Sequence, residues 1–390
     1  MIDFLFKEKS LKSIISILFI LAFLVTSLMA YKNAINLNPW SLGDWLINYQ
    51  GGFVRRGLSG EIYYMFSNYL KISPEYFVFG TQIILYAIFY IVSFLLIKNE
   101  LQNKEYLLLI FSPVIFYFQV FDLAAVGRKE ILYLSMFALM IYFIKNANNR
   151  KSETTIYIFI FLFSVLILMH EMFIIYFPYI IIVFILKIGL KNKIKKILII
   201  SSLPIISFFL SLFYKGDSIV AIEIFNSLHN IGCNIKGGAI GSIGWTTSDG
   251  LRLVWKGVSE LNYIPKYILA TILSLLAFYP IIYKFRIILS NKLNLLLLFL
   301  SIIGTILVMV VAWDWGRFIY IHIASLFFIS LLISSDSEYK VTFLNKIPNI
   351  CFLLLIIINF SIWRLPHCCS GDIFLYQFHM IFKALSYIGL

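Results

Sequence analysis

Apolar runs long enough to cross a bilayer recur along the whole 390-residue chain, and they constrain the fold more than any motif does. An α-helix rises about 1.5 Å per residue, so crossing roughly 30 Å of hydrocarbon takes about 20 apolar residues. Within hydrocarbon each backbone N–H and C=O must be satisfied by the protein itself, which leaves helices and closed barrels as spanning forms. The short alternating segments of a barrel are missing from the sequence. The chain therefore reads as all-α, a polytopic membrane protein forming a single transmembrane domain over 1–390. Composition agrees: 61% of residues are hydrophobic and 13% charged, against roughly 45–50% and 25% in soluble domains.

The runs place about eleven transmembrane helices, near 13–31, 76–97, 105–121, 130–144, 155–170, 172–187, 197–214, 264–283, 293–313, 318–334 and 346–363. The first follows Lys7, Lys9 and Lys12 and reads as an uncleaved signal-anchor, because Leu28-Met29-Ala30 lacks a small residue at the −3 position. Basic residues in short loops set orientation. With the N-terminus cytoplasmic, the inner segments hold 18 basic and seven acidic residues and the outer segments 14 and 12, which sum to the net +13 of the chain. Topology thus accounts for the positive charge, and no nucleic-acid partner is implied.

This sidedness gathers the informative polar residues outside. They lie in the first outer loop 32–75, the turn 121–131, the pair His170-Glu171, a large outer loop 215–263, the turn 312–318 and the tail 364–390. The inner loops are short Lys/Asn connectors. A site facing the extracytoplasmic side near the headgroups is the expectation.

In loop 32–75 the stretch "YQGGFVRRGLSGE" sets Arg55 and Arg56 among glycines. Two guanidiniums there suit a pyrophosphate held by forked hydrogen bonds, with glycine letting backbone approach the ligand. The competing reading is snorkelling to lipid phosphates. From Gly60 onward Ile62, Tyr63, Met65, Phe66, Tyr69 and Leu70 fit one face of an amphipathic interfacial helix. Asp44 is either a general base for an acceptor hydroxyl or a cap or ion-pair partner.

Asp122, Arg128, Lys129 and Glu130 cluster in "DLAAVGRKE". Charges at the end of a span are ordinary, but Arg128 and Glu130 at the start of a short helix are also binding candidates. His170-Glu171 is a polar island among apolar residues, and reads as a tight turn or a cavity lining with Glu171 accepting a proton. No metal-ligand spacing accompanies it. "WDWGRF" sets Asp314 three residues before Arg317, with Trp315 available to stack on a sugar. Cys233, Cys368 and Cys369 fall outside, and Cys351 lies in a span. The reading allows Cys233 to pair with Cys368 or Cys369, since adjacent cysteines seldom pair with each other, and leaves the connectivity open.

The layout resembles the GT-C class of membrane glycosyltransferases: a first span, a long outer loop with an acidic residue and an interfacial helix, then many spans with polar outer ends. "YQGGFVRRGLSGE" and "DWGRF" also resemble stretches of bacterial O-antigen or capsule polymerases. The resemblance implies a polymerase or glycosyltransferase in the bacterial inner membrane that acts on undecaprenyl-pyrophosphate-linked oligosaccharide at the extracytoplasmic face. Its partners would be the lipid bilayer, a chain-length regulator and a flippase. No cofactor is required by the residues, and a divalent metal is left open. Asp44 would be the acidic residue of the first outer loop, although it stands without the adjacent acidic neighbour common in that class. Asp44, Glu171 and Asp314 are then the catalytic candidates. Arg55, Arg56, Arg128, Glu130, His170, Trp315 and Arg317 are the binding candidates. The competing functions are a lipid-linked-oligosaccharide flippase and a membrane O-acyltransferase with His170 as base.

Overall fold

A computed structural model of the chain describes residues 2–333, 343–369 and 372–374. The inner-loop Lys340 and the tail beyond 374 lie outside the described residues. The described chain is helical, with one isolated bridge between Trp363 and Phe374 in place of any strand.

Five helices are long and apolar enough to cross a membrane: Glu8–Ile35 (α1), Pro74–Ile97 (α2), Asn149–Met169 (α3), Ile194–Phe213 (α4) and Lys292–Met309 (α5). A sixth crossing exists if the pair Tyr263–Leu276 and Tyr279–Ser290, bent by 49°, counts as one span. Trp315–Ser330 (α6) and Asn349–Ser361 (α7) are apolar but shorter. The outward faces carry Ile20, Leu24, Leu198, Phe209, Leu296 and Leu307, all exposed. A surface that apolar is matched to lipid rather than water.

Packing follows the sequence pattern. Helix α1 buries Leu11, Ile15, Phe19, Ala22, Thr26 and Ala30, a stripe at spacings of three and four that lies on α2. Helix α4 turns Ser201, Pro204, Ser207 and Ser211 inward against α3. Small residues there let two helices approach closely, the way helices pack when lipid removes the hydrophobic drive between them.

Three expected spans are broken. The window 105–121 is a helix over Lys104–Ile110, an irregular stretch and a short turn of helix over Phe118–Phe121. Pro113 removes a donor and biases Ser112 away from helical angles. The irregular stretch is buried on all sides, with Phe116 against Phe19 and Phe327. Non-helical backbone at membrane depth is tolerated when it is enclosed by protein. The window 172–187 opens with a 3-10 turn over Glu171–Tyr176 before Phe177–Lys187, with Pro178 in its first turn. Pro280 marks the bend in the window 264–283.

The helix Gly57–Leu70 forms as the pattern suggests, with its apolar face outward except for Tyr63, which turns inward. Met65, Phe66 and Tyr69 are exposed, while Gly57, Ser59, Gly60, Tyr63 and Ser67 face the protein.

Candidate anion-binding site

The described parts of all six segments that the sequence places on one side meet at one end of the bundle. Trp45 Nε1 donates to Gly127 O at 2.6 Å, joining the first loop to the 121–131 turn. Arg56 reaches Glu171, and Arg317 reaches Glu130. The loop 215–263 joins them through Ala239 N to Pro39 O at 2.9 Å and Asn48 Nδ2 to Ser227 Oγ at 3.0 Å. His367 from the tail hydrogen-bonds Asp122.

The glycines have another task than the one expected. A Cβ on Gly60 would sit 2.0 Å from Ile47 O, and one on Gly316 would sit 1.8 Å from Pro366 O. Both let backbone approach the protein's own backbone, not a ligand. In this way the helix Gly57–Leu70 is pressed onto the first loop, and the start of α6 onto the 364–369 segment. Arg56, just before Gly57, takes a left-handed φ of 66°. That conformation costs a non-glycine residue about 1–2 kcal/mol, and the contacts of its side chain hold it there.

Those contacts form the first half of the site. Arg56 Nε lies 2.9 and 3.0 Å from the two Glu171 oxygens, and Nη2 lies 2.7 Å from Oε1. Its Nη1 stands 3.7 Å from Asp44 Oδ1. Lys129, fully buried, donates to Met169 O at 2.8 Å and Arg56 O at 3.2 Å, and stands 3.9 Å from Asp44 Oδ1. Arg55 lies 3.9 Å from Glu171. In the second half Arg317 bridges Glu130 and Asp314.

Arg128 stands between the halves. It is 9% exposed, has no hydrogen bond or ion pair among the described residues, and lies over the Trp40 ring at 6.0 Å. The electrostatic influences on it come from Arg317, Asp314, Glu130 and Asp44. Gly127 fixes its backbone: its N–H donates to Tyr86 Oη at 2.9 Å, and its carbonyl takes Gln82 Nε2 at 3.0 Å as well as Trp45.

The charges leave an excess. Arg55, Arg56, Arg128, Lys129 and Arg317 are five cations against the four carboxylates of Asp44, Glu130, Glu171 and Asp314, a net +1. Asp44 Oδ1, Arg55 Nε, Arg128 Nε, His170 Nδ1 and Arg317 Nε are buried with no hydrogen-bond partner. Burial raises the Asp44 carboxyl, but Lys129, Arg56 and Arg128 outweigh it and hold it ionised. Glu171 and Asp314 are likewise held well below the usual carboxylate range, by Arg56 and Arg317 respectively, against the effect of burial. Burial pushes His170 down to about 3, so it is neutral. Lys129 is held down to about 8 by burial, with Asp44 pulling the other way.

Every charged candidate from the sequence, together with His170, thus falls in one cluster. Trp315 instead packs edge-on to Tyr263, with Tyr267 beside it, and donates from Nε1 to Met309 O at 2.8 Å. Lys129 was grouped with its neighbours but not chosen as a site residue; its complete burial is invisible in a sequence where lysine usually marks an edge. A further group went unread: Asp122 accepts from His367 N at 2.8 Å and Nδ1 at 2.9 Å, with Arg364 at 4.0 Å. The signal available was "RLPH", two basic residues around a proline just past the last apolar run. The connectivity that the sequence leaves open is settled without Cys233. Cys368 is bonded to Cys369, and Cys233 is a buried free thiol. Cys233 follows the Ser218–Asn230 helix, its N–H bonded to Leu228 O, and burial raises its thiol. Among the described residues one group of His, Cys and carboxylate side chains is close enough to hold a metal, namely His367, Cys368 and Cys369.

A family model described as uncharacterised membrane protein Rv1490 matches residues 13–212. The chain belongs to this family. The match covers Asp44, Arg55, Arg56, Arg128, Lys129, Glu130, His170 and Glu171, so most of the cluster lies in the part that defines the Rv1490 family; Asp314 and Arg317 lie beyond it. No curated protein and no solved structure matches the chain.

Proposed function

We propose that this membrane protein is a glycosyltransferase or polymerase acting on polyprenyl-pyrophosphate-linked glycans, such as undecaprenyl-pyrophosphate repeat units, with a GT-C-like layout of about eleven membrane passes. Its N-terminus is cytoplasmic and its charged cluster extracytoplasmic, as the lysine-rich connectors at the other end of the bundle favour. One observation carries the reading: Arg128 is a buried cation with no hydrogen bond or ion pair among the described residues, close to the charged groups of both halves of the cluster. A buried unpaired charge costs several kcal/mol, and an anionic ligand removes that cost.

The residues then divide the work. The acceptor hydroxyl loses its proton to Asp44, whose Oδ1 has no hydrogen-bond partner. The acceptor oxygen attacks the anomeric carbon, and the bond to the pyrophosphate breaks. The leaving group gains negative charge, which fixed guanidiniums stabilise without reorganising. Arg55 and Arg128 face that charge. Glu171 and Asp314 are already engaged by Arg56 and Arg317, so they orient those arginines rather than take protons. The helix Gly57–Leu70 rests its exposed apolar face in the interface, at the depth of a lipid-linked substrate.

The test is deletion of the gene in its host and complementation with Arg128→Gln or Asp44→Asn, with the surface glycan resolved on a gel. Loss of the long-chain ladder with single repeat units kept at the surface is the expected result. Normal ladders from both variants would sink the reading. Repeat units stranded on the inner leaflet would select a flippase, and loss of O-acetyl groups at unchanged chain length would select an acyltransferase.

A further inference from the structure

Beside the charged cluster lies a second reactive group, in which Cys368 and Cys369 are joined. Their two sulfurs are not equivalent. Cys369 is exposed and Cys368 is buried. Cys368 Sγ lies 3.0 Å from His367 Nε2. The other ring nitrogen, Nδ1, lies 2.9 Å from Asp122 Oδ2, which also accepts the His367 backbone N–H at 2.8 Å. The carboxylate therefore fixes the ring with Nδ1–H toward itself and Nε2 toward sulfur. This is a sulfur, an imidazole and an orienting carboxylate in line.

We propose that Cys368, Cys369, His367 and Asp122 form a thiol–disulfide exchange site whose substrate is a dithiol. The assignment does not depend on the glycan-transfer reading. Attack comes at the sulfur that solvent reaches, Cys369 Sγ. A thiolate of the dithiol bonds to it, the Cys368–Cys369 bond breaks, and the electron pair goes to Cys368 Sγ. That sulfur takes the proton from Nε2 of protonated His367. The second thiol of the dithiol then gives its proton back to His367 and attacks the mixed disulfide, and Cys369 leaves as a thiolate that takes from solvent the proton the first thiol gave up. The balance is two electrons and two protons passed from the dithiol, which leaves as a disulfide. Exchange accelerates as the leaving sulfur is better stabilised, and His367 with Asp122 behind it acts on the leaving sulfur.

The pair is also wired to its surroundings. The Cys369 N–H donates to Tyr263 Oη, and His367 O accepts from Gly316 N at 3.1 Å, one residue from Arg317. The charged and titratable groups around His367 are Asp122 and Arg364, Asp314 from the start of α6, and the hydroxyls of Tyr263 and Tyr267.

The experiment uses the full chain in lipid nanodiscs with Cys351→Ser to remove the exposed free thiol. Dithiothreitol is added, the reaction is quenched with a maleimide, and labelled cysteines are counted by mass spectrometry. No label at Cys368 or Cys369 before reductant and two labels after it is the expected result. His367→Gln should slow reduction by about tenfold or more. In the wild type, a monothiol such as 2-mercaptoethanol should be trapped as a mixed disulfide on Cys369, the exposed member of the pair. Labelling of both cysteines before any reductant overturns the proposal, as does an equal rate for His367→Gln. If that variant does not fold, a monothiol trapped on Cys368 rather than Cys369 in the wild type overturns the proposal alone.

Discussion

Arg128 and Lys145 bracket one helix, Glu130–Lys145, and they are treated in opposite ways. Lys145 donates to Leu96 O at 3.4 Å and pairs with Glu100 at 3.3 Å. Its neighbours at that end behave alike: Lys187 caps Lys145 O at 3.2 Å, and Lys104 reaches Ile347 O at 3.0 Å. Lysines there close the carbonyl ends of helices, a role that suits a flexible cation and needs no ligand. At the other end arginines are buried or half-buried among carboxylates, Arg128 has no hydrogen bond or ion pair among the described residues, and buried polar atoms remain unbonded. Lysines at one set of helix ends are thus matched to carbonyls and a carboxylate, while the other set holds a surplus of buried cationic groups. A cationic surplus gathered at one end marks where an anionic ligand belongs.

The comparison can be broken most sharply at its ion pairs. Glu171→Ala strands Arg56 in a half-buried, left-handed position and should cost about 2–3 kcal/mol, read as a loss of thermal stability of the purified protein. If it costs no more than a surface pair, the site end is no different from the connector end. Arg128→Gln should do the reverse, raising stability by about 1–2 kcal/mol by removing an unpaired buried charge while abolishing polymer synthesis. A loss of stability in that variant would mean Arg128 has a structural partner.

Acid sharpens the contrast further. Asp44, Glu171 and Asp314 have folded-state values below their unfolded ones. Their contribution is therefore complete above the ordinary carboxylate range, about 4, and is lost as pH falls through their lowered values. Hydrogen exchange should show the 43–60 and 170–176 segments opening in acid before the 98–104 and 145–153 connectors. Glu100→Gln is the smallest effect expected, within about 1 kcal/mol, because both it and Lys145 are partly exposed.

The membrane class and the gathering of polar residues were legible because apolar runs and loop lysines report directly on solvent and side. Convergence of Asp44, Arg56, Arg128, Glu171 and Arg317 followed from sidedness alone. What stayed hidden has physical causes. The window 105–121 is apolar whether it faces lipid as helix or lies irregular inside the protein, so periodicity cannot choose. Gly60 and Gly316 read as openings for a ligand because sequence does not show that the chain's own backbone approaches them. The adjacent disulfide was missed because pairing is a matter of geometry, and Cys233 is buried away from the 368–369 pair.

Gly127 is gripped at its N–H and twice at its carbonyl, so the residue after it has little freedom to seek a counter-ion. In landscape terms Arg128 is frustrated: local and global preferences disagree at that one position. Random substitution removes such a conflict readily, since many replacements relieve it. A chain that keeps it is selected for something other than its own stability.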